Sequence, residues 1–494
     1  MTEGFTKNPA IPSSLCIFLG KDVLSMDELR LIDLTTRMFT EPVLELNRDK
    51  LVSHLTAVQY ERARLLDEVG LTSTDLRSAQ RFAELLENLG VDPPKKISPR
   101  TGRETYAFAK TDAGMQKLLE HEWRPVAMLA EIKLGVQGSL EEGRTTRFLD
   151  IQARGPLPVP LQYHGAHPGR WSGAEKINLQ NLSSRGSDAG KLRDSIEAPE
   201  GYVLIVGDSS QIEARSLGWI AGQDDLTEAF QQGRDVYKAM GADIFRKPIE
   251  ELEDFPHRFV GKETILGAGY QMGGDRFYDT LRMRRLKDVD HNFAHTTIQI
   301  YRKRYPQIPA LWRQGAMTLQ KMMLRDPNGA SFGRPGVFQV DTQNRTVRMP
   351  HGLYLRYPEL QMQEDDEGGK QMVYRTRGNA FTKIYGGKFT ENAIQGFARG
   401  VVGWQMCRIA ERWEPDHTPR HDWWNANNIE PYRPVLTEHD SIGMLVKEED
   451  AEEGAAWMTH WMRTPPPWAE GRPITCKDGA KIGRTYGETK RRMT

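Results

Sequence analysis

The stretch YVLIVGDSSQIEAR, residues 202–215, holds the pattern on which the fold turns. Tyr202–Val206 is a short apolar run rich in β-branched residues, and it reads as a buried strand. Gly207 ends the run and Asp208 follows it. Ser210, Gln211, Ile212 and Glu213 have the Ser-x-x-Glu spacing of a capping box, which predicts a helix start. A carboxylate at a strand-to-helix junction is held rigidly with its oxygens outward. Taken alone, Asp208 reads more readily as a turn-forming residue before a helix.

Two further stretches bear on that choice: RFVGKETILGAGYQMG at 258–273 and PVLTEHDSIGMLV at 434–446. In the first, Arg258, Lys262, Leu266 and Tyr270 recur every fourth residue. On a helix each step drifts by about 40°, so the four share one broad stripe. The order is two cations, an aliphatic side chain and an aromatic one, which parallels the phosphates, sugar and base of a nucleoside triphosphate. The cations lie nearer the helix N-terminus, where the dipole favours anions. Gly267 and Gly269 remove side-chain bulk beside the far end of the stripe. An amphipathic helix with solvated Arg and Lys is the plainer account of that stripe by itself. In the second stretch, Asp440 sits between the apolar flanks Val435, Leu436 and Ile442–Val446, as at the apex of a β-hairpin. A three-stranded antiparallel unit would bring Asp208 and Asp440 to one edge.

In order and content the three stretches resemble the polymerase motifs of family A DNA polymerases. Asp208–Arg215 matches that family's Asp-Tyr-Ser-Gln-Ile-Glu-x-Arg. Arg258, Lys262, Leu266, Gly267 and Tyr270 match its Arg-x3-Lys-x3-aromatic-Gly-x2-Tyr, and His439, Asp440 and Ser441 match its His-Asp-Glu. Upstream, GRWS at 169–172 and NLQN at 178–181 are similar to a Gly-Arg-x-Ser…Asn-Leu-Gln-Asn element. The resemblance runs from about Leu76 to near the C-terminus.

The resemblance implies an α+β, right-hand polymerase fold with an antiparallel-sheet palm and largely helical thumb and fingers. Its expected divisions are a lead segment at 1–50, thumb at 51–150, palm at 151–214, fingers at 215–385 and palm again at 386–494. The implied activity is template-directed addition of dNTPs to a primer 3′ end by two metal ions, Mg2+ or in substitution Mn2+. Asp208, Asp440 and Lys262 would be catalytic, and the metals would rest on Asp208, Asp440 and the main-chain carbonyl of Ser209. Arg258, Lys262, Leu266, Tyr270, Gln211, Glu213 and Tyr237 would meet the nucleotide. Arg170, Gln180, Asn181, Arg185, Gln395 and His439 would meet primer–template DNA.

Four positions depart from the family pattern. Ser209 stands where an aromatic is frequent, Ser441 where a second carboxylate is, Tyr237 for a common His and Leu266 for an aromatic. The N-terminal portion has no Asp-x-Glu of the kind that opens the family's proofreading domain, so no 3′-5′ exonuclease is expected in this chain. The His-Asp-Ser variant and compact thumb are nearest to bacteriophage replicative polymerases, which implies phage genome replication. Two alternatives stay open: a single-subunit RNA polymerase and an inactive polymerase-like DNA-binding scaffold. Glu213 argues against the first, because that class must admit a 2′-hydroxyl. Retention of Asp208, Asp440, Arg258 and Lys262 together argues against the second.

Composition sets bounds. A length of 494 residues allows two to four domains or lobes. Hydrophobic residues at 38% and charged ones at 27% are ordinary for a globular protein. A formal net charge of +0 leaves any DNA partner to a local basic groove. Cys16, Cys407 and Cys476 lie far apart and suggest neither disulfides nor a zinc site, which fits a reducing compartment. No apolar run approaches the roughly 20 residues of a membrane span, and the N-terminus lacks a signal-peptide layout. A cytoplasmic monomer is expected, in the host cytoplasm if phage-encoded. Its expected partners are primer–template DNA, dNTPs and a separate exonuclease, helicase or processivity factor, with no membrane.

Periodicity predicts helices across Met26–Asn88, Thr111–Gln137, Tyr301–Leu324 and Tyr385–Arg412. Asp92–Arg103 reads as a basic loop, either a solvated linker or a phosphate-touching thumb tip. Phe148–Val206 is strand- and loop-like, and Asp254 with Pro256 suggests a helix start. Val347–Tyr357 reads as a hairpin turning at His351 and Gly352, and Trp413–Pro434 as a long loop.

Overall fold

The apolar run at 202 forms a strand (β1, Tyr202–Asp208) in the middle of a four-stranded antiparallel sheet. Its partners are Pro434–Glu438 (β2), Ser441–Lys447 (β3) and Lys481–Gly483 (β4), in the order β2-β3-β1-β4. β1 runs through Gly207 to Asp208, two residues beyond the apolar stretch, because the ladder with β3 continues to the Ser441–Asp208 pair. The expected three-stranded unit is present, and β4 adds a fourth strand on the far side of β1. The structure is a computed structural model. It describes residues 24–490 except 69–71, 73–74, 77, 99–102, 110–111, 138, 176, 183–189, 285, 287–288, 366–367 and 413–430.

Leu204, Ile205 and Val206 are buried on β1, as are Ile442, Met444, Leu445 and Val446 on β3. Each such side chain stabilises the fold by about 1.5–3 kcal/mol relative to exposure. The helix Ala451–Arg463 covers one face of the sheet. A Cβ at Gly207 would lie 2.8 Å from Met462 Cγ and 2.9 Å from Met458 Cγ, so glycine lets that helix close over the end of β1.

After β1 the chain is helical, as the pattern predicts. The elements that frame the site are Ile212–Ala221 (α1), Val236–Phe245 (α2), Phe259–Ala268 (α3), Gly274–Met283 (α4), His291–Arg304 (α5) and Gly386–Ala410 (α6). They share one hydrophobic core with the sheet. A second, smaller core lies at 76–134, built on Leu76, Phe82, Leu86, Phe108, Met115, Val126 and Ile132. Lys133 is buried within it, where burial pushes its amine down to about 8. Its Nζ donates to the Leu76 carbonyl and lies 4.9 Å from the Phe82 ring centroid. This mixture of helices with small antiparallel sheets is the α+β class expected.

Several local expectations are corrected. The capping box does not form. Gln211 is the N-cap of α1 in the left-handed region (φ 59°) with no side-chain cap bond. The Ser210 Oγ instead accepts from the Lys477 N–H, and Glu213 is drawn to Arg170. A π-helical turn does begin at Asp254 and runs to Arg258, but Phe255 before Pro256 is extended (φ −129°, ψ 131°) and kinks it, so the regular helix α3 starts only at Phe259. Tyr270 lies beyond the end of α3 at Ala268. The 92–103 loop contains one strand of a hairpin, Lys95–Ile97 paired with Glu104–Tyr106, closed by a Lys95–Glu104 ion pair at 3.0 Å. Helix Ser139–Gln152 runs past Phe148 before the irregular stretch begins. The hairpin at Thr346–Arg348 and Tyr354–Arg356 is as read, and α6 is the predicted long helix. Most of the 413–434 loop and all of 1–23 lie outside the described residues.

Candidate active site

Backbone register places the two carboxylates. Asp208 ends β1 opposite Ser441, and Asp440 precedes Ser441 in the turn between β2 and β3. The Ser209 N–H donates to the Asp440 carbonyl at 2.9 Å, which ties the two apices together. The turn is braced on both sides. His439 takes the left-handed region (φ 51°), and its N–H donates to Gln180 Oε1 at 2.7 Å. Gln180 Nε2 donates to the Thr437 carbonyl at 2.7 Å. Arg193 grips Glu438 with Nη1 at 2.9 Å and Nη2 at 2.6 Å, and the Tyr486 hydroxyl donates to the same carboxylate. Such a bidentate pair fixes direction as well as distance. Ser441 commits its hydroxyl to the Glu438 carbonyl at 3.1 Å, so this position serves the turn.

A cleft of about 1180 Å³ opens beside these carboxylates. Asp208, Asp440, Gln211, Glu213, Tyr237, Arg258, Lys262, Leu266 and Tyr270 all line it, so the predicted metal and nucleotide side chains converge. Ser209 is buried next to them. Lys238, Lys477 and Lys481 line the cleft as well, and the sequence reading did not single them out. With Arg258 and Lys262 they set five cations among six cleft carboxylates, Asp208, Glu213, Asp235, Asp254, Asp440 and Asp478, so the cleft lining is mixed in charge rather than basic.

The helical wall is set by side chains. Arg258 Nε donates to Asp235 Oδ2 at 2.7 Å, and its guanidinium lies 5.3 Å from the Tyr237 ring centroid. Asp235 also caps α2 by accepting from the Tyr237 and Lys238 N–H groups, both at 3.1 Å. Burial raises the Asp235 carboxyl, but Arg258 and these N–H groups outweigh that and hold it below the usual range. Gly261 lets α3 cross α2 closely, since a Cβ there would lie 2.1 Å from the Tyr237 carbonyl oxygen. Leu266 is 40% exposed and lines the cleft with Lys262 before it and Tyr270 after it in the chain.

A polar chain joins the two walls. The Tyr270 hydroxyl donates to Glu213 Oε2 at 3.2 Å, and Arg170 Nη1 donates to Glu213 Oε1 at 3.0 Å. Arg170 Nη2 lies 3.0 Å from His439 Nδ1. Burial, then Glu213, raise the Tyr270 phenol, so it stays a donor. Burial and the Arg170 guanidinium push His439 down, so its Nδ1 can accept from Arg170. Arg215 Nε donates to the Ser210 carbonyl at 3.0 Å and Nη2 to Gln211 Oε1 at 3.1 Å, which pins the turn after Asp208.

The expected DNA-contacting residues divide. Arg170 and His439 do not line the cleft themselves but join it through Glu213, which does. Gln180 is buried, and its amide is committed to the turn. Gln395 is half-buried on α6, 3.5 Å from Glu391. Asn181 ends a short 3-10 turn, and Arg185 lies outside the described residues. Asp235, Arg193 and Glu438 were missed. An Asp before an apolar helix was a readable cap signal for the first, but the other two carry no local pattern.

The donors at the sheet edge fit a hard divalent cation. Asp208 and Asp440 offer carboxylate oxygens and Ser209 a neighbouring peptide, a set suited to Mg2+. Cys476 also lines the cleft, but burial pushes its thiol up and keeps it protonated.

The chain matches the model of DNA polymerase family A over residues 49–349. It is 26% identical over 356 residues to a DNA polymerase of Bacillus phage SP02, covering 64% of this chain and 50% of the phage protein. It is 32% identical over 329 residues to DNA polymerase I of Mycobacterium bovis, covering 58% of this chain and 34% of that one. The chain thus spans half the length or less of these relatives. The POL domain of Pol1 from M. smegmatis, solved in complex with DNA primer-template and dNTP, has the same fold. The TM-score is 0.70 at 17% identity, over 97% of this chain and 72% of that one. Among the described residues no helix is long and apolar enough to cross a membrane. With the family model matching more than half its length, the chain belongs to DNA polymerase family A.

Proposed function

We propose that this chain is a template-directed DNA polymerase, adding dNTPs to a primer 3′ end as part of phage genome replication. The observation that carries this reading is one cleft holding both register-fixed carboxylates and the cationic stripe of α3. Residues 51–150 would be the thumb, 215–385 the fingers, and 151–214 with 386–494 the palm. The separate core at 76–134 suits a thumb able to move as a unit.

Asp208 and Asp440, with the Ser209 carbonyl, would hold two divalent ions, Mg2+ or Mn2+. When bound, these supply activation of the primer hydroxyl and neutralisation of charge on the phosphates. The chain's own groups orient the nucleotide. Arg258 and Lys262 meet the triphosphate, with Lys262 placed to offset charge at the departing phosphate. Leu266 packs beside the sugar and Tyr270 near the template base. Glu213, held from both sides by Arg170 and Tyr270, fills the space that a 2′-hydroxyl would need. Primer–template DNA then lies toward Arg170 and His439.

Primer extension on a defined template with Mg2+ and either dNTPs or rNTPs tests this. The wild type should extend with dNTPs and poorly with rNTPs, and Glu213→Ala should raise rNTP use. No extension would select the inactive-scaffold reading, and equal use of both substrates would select an RNA polymerase.

A further inference from the structure

Outside the cleft, α4 and α5 bring two histidines and an aspartate together. His291 and His295 are one helical turn apart on α5, and Asp275 is in the first turn of α4. Asp275 Oδ1 lies 3.1 Å from His291 Nδ1 and 3.0 Å from His295 Nε2. Their ligand atoms all lie within 4.8 Å of one another. We propose that Asp275, His291 and His295 form a binding site for one divalent transition-metal ion, Zn2+ foremost, that clamps α4 to α5.

The chemistry and the geometry both favour this. Imidazole nitrogen with one carboxylate suits Zn2+, whereas Mg2+ prefers oxygen alone. Bonds of about 2.0–2.1 Å in a tetrahedron give ligand-to-ligand edges of about 3.4 Å. The two contacts to Asp275 are a few tenths shorter and the two histidine nitrogens lie within 4.8 Å, so an ion enters by adjustment of these exposed side chains. The three groups are exposed, which leaves the fourth position to water. Both rings are positioned by their surroundings. Tyr278 stacks on His291 with centroids 3.9 Å apart and an interplanar angle of 23°. Gly274 admits the His295 ring, since a Cβ there would lie 2.4 Å from it. Asp290 caps α5 by accepting from the Phe293 N–H at 2.6 Å, which fixes the turn that carries His291.

One term opposes a cation. The site lies by the N-termini of two helices, whose dipoles repel positive charge. The Asp275 and Asp290 carboxylates offset this. α4 and α5 both pack against α3, so the clamp would stiffen the support of the Arg258–Lys262 stripe.

Calorimetric titration of the full chain with ZnCl2, in excess Mg2+ to occupy the carboxylate edge, tests the site. The wild type should bind one more equivalent of Zn2+ than His291→Gln/His295→Gln. Asp275→Asn should weaken that equivalent about tenfold or more. All three positions are exposed, and matching circular dichroism would show that the variants fold. Equal Zn2+ stoichiometry and affinity in wild type and the double variant would overturn the proposal, leaving only hydrogen bonds between α4 and α5.

Discussion

The sheet edge and the helical wall that faces it place their functional groups by different means. Asp208 and Asp440 are located by backbone: a seven-residue ladder between β1 and β3 and the hydrogen bond from the Ser209 N–H to the Asp440 carbonyl. Shifting them would break several ladder bonds at once. On the α3 side, Arg258 is held by one part-exposed carboxylate, and Tyr270 has left the helix altogether. Ligand exchange at Arg258 therefore needs only side-chain motion. The edge suits metal ligands, which must converge within tenths of an ångström, and the wall suits a nucleotide that enters and leaves each cycle.

The largest effect should come from the rigid side. If Asp208 and Asp440 hold the ions as proposed, Asp208→Ala or Asp440→Ala should lower nucleotide addition by about 1,000-fold or more, because several kcal/mol of charge stabilisation would be lost with them. Duplex affinity should stay near wild type, since phosphate contacts elsewhere supply most of it. Single-turnover extension and a gel-shift titration measure the two. A variant extending primers at near wild-type rate would show that the edge is not where metals bind.

The same contrast governs what could be read in the sequence. Apolar strands ending in carboxylates announce themselves, so Asp208, Asp440 and their antiparallel pairing were legible. β4, only Lys481–Gly483, has too few residues to show periodicity. The Ser210–Glu213 spacing misled because tertiary partners outcompeted a local cap: Lys477 took Ser210, while Arg170 and Tyr270 took Glu213. The fourfold spacing carried Tyr270 onto a helix that ends at Ala268. Gly267 and Gly269 were the contrary signal, since glycine marks helix ends. Gln180 reads as a polar contact residue, and only the folded chain shows it buried under the Asp440 turn. The Asp235–Arg258 pair spans 23 residues, and no local rule predicts it.

A middle-sized effect should come from Leu266, the apolar member of the wall. If Leu266 packs beside the sugar as proposed, a Tyr hydroxyl in its place would stand in for the 3′-hydroxyl that a dideoxynucleotide lacks, whereas leucine has neither donor nor acceptor. An unmade hydrogen bond of this kind costs about 1–3 kcal/mol, or roughly 5- to 150-fold in rate. Leu266→Tyr should therefore accept ddTTP against dTTP better than wild type by a factor in that range. Equal selectivity in the two proteins would mean that Leu266, though at the cleft, does not face the sugar.

The smallest effect tests the wall's looseness itself. Asp235→Asn keeps an oxygen to cap α2, so the Tyr237 and Lys238 N–H groups retain their acceptor. It removes the negative charge that would compete with a triphosphate for Arg258 under the proposed function. The Arg258 and Asp235 side chains are 23% and 32% exposed, so the pair is screened and contributes at most about 1 kcal/mol. The dNTP KM should accordingly fall by up to about fivefold, with little change in kcat. The difference should shrink as salt rises, because exposed charges are screened over about 10 Å at 0.1 M. Steady-state single-nucleotide incorporation at low and high salt measures it. A KM that rises in Asp235→Asn would reverse the argument. Asp235 would then be aiming Arg258 at the phosphates rather than withholding it, and the helical wall would be as firmly preset as the sheet edge.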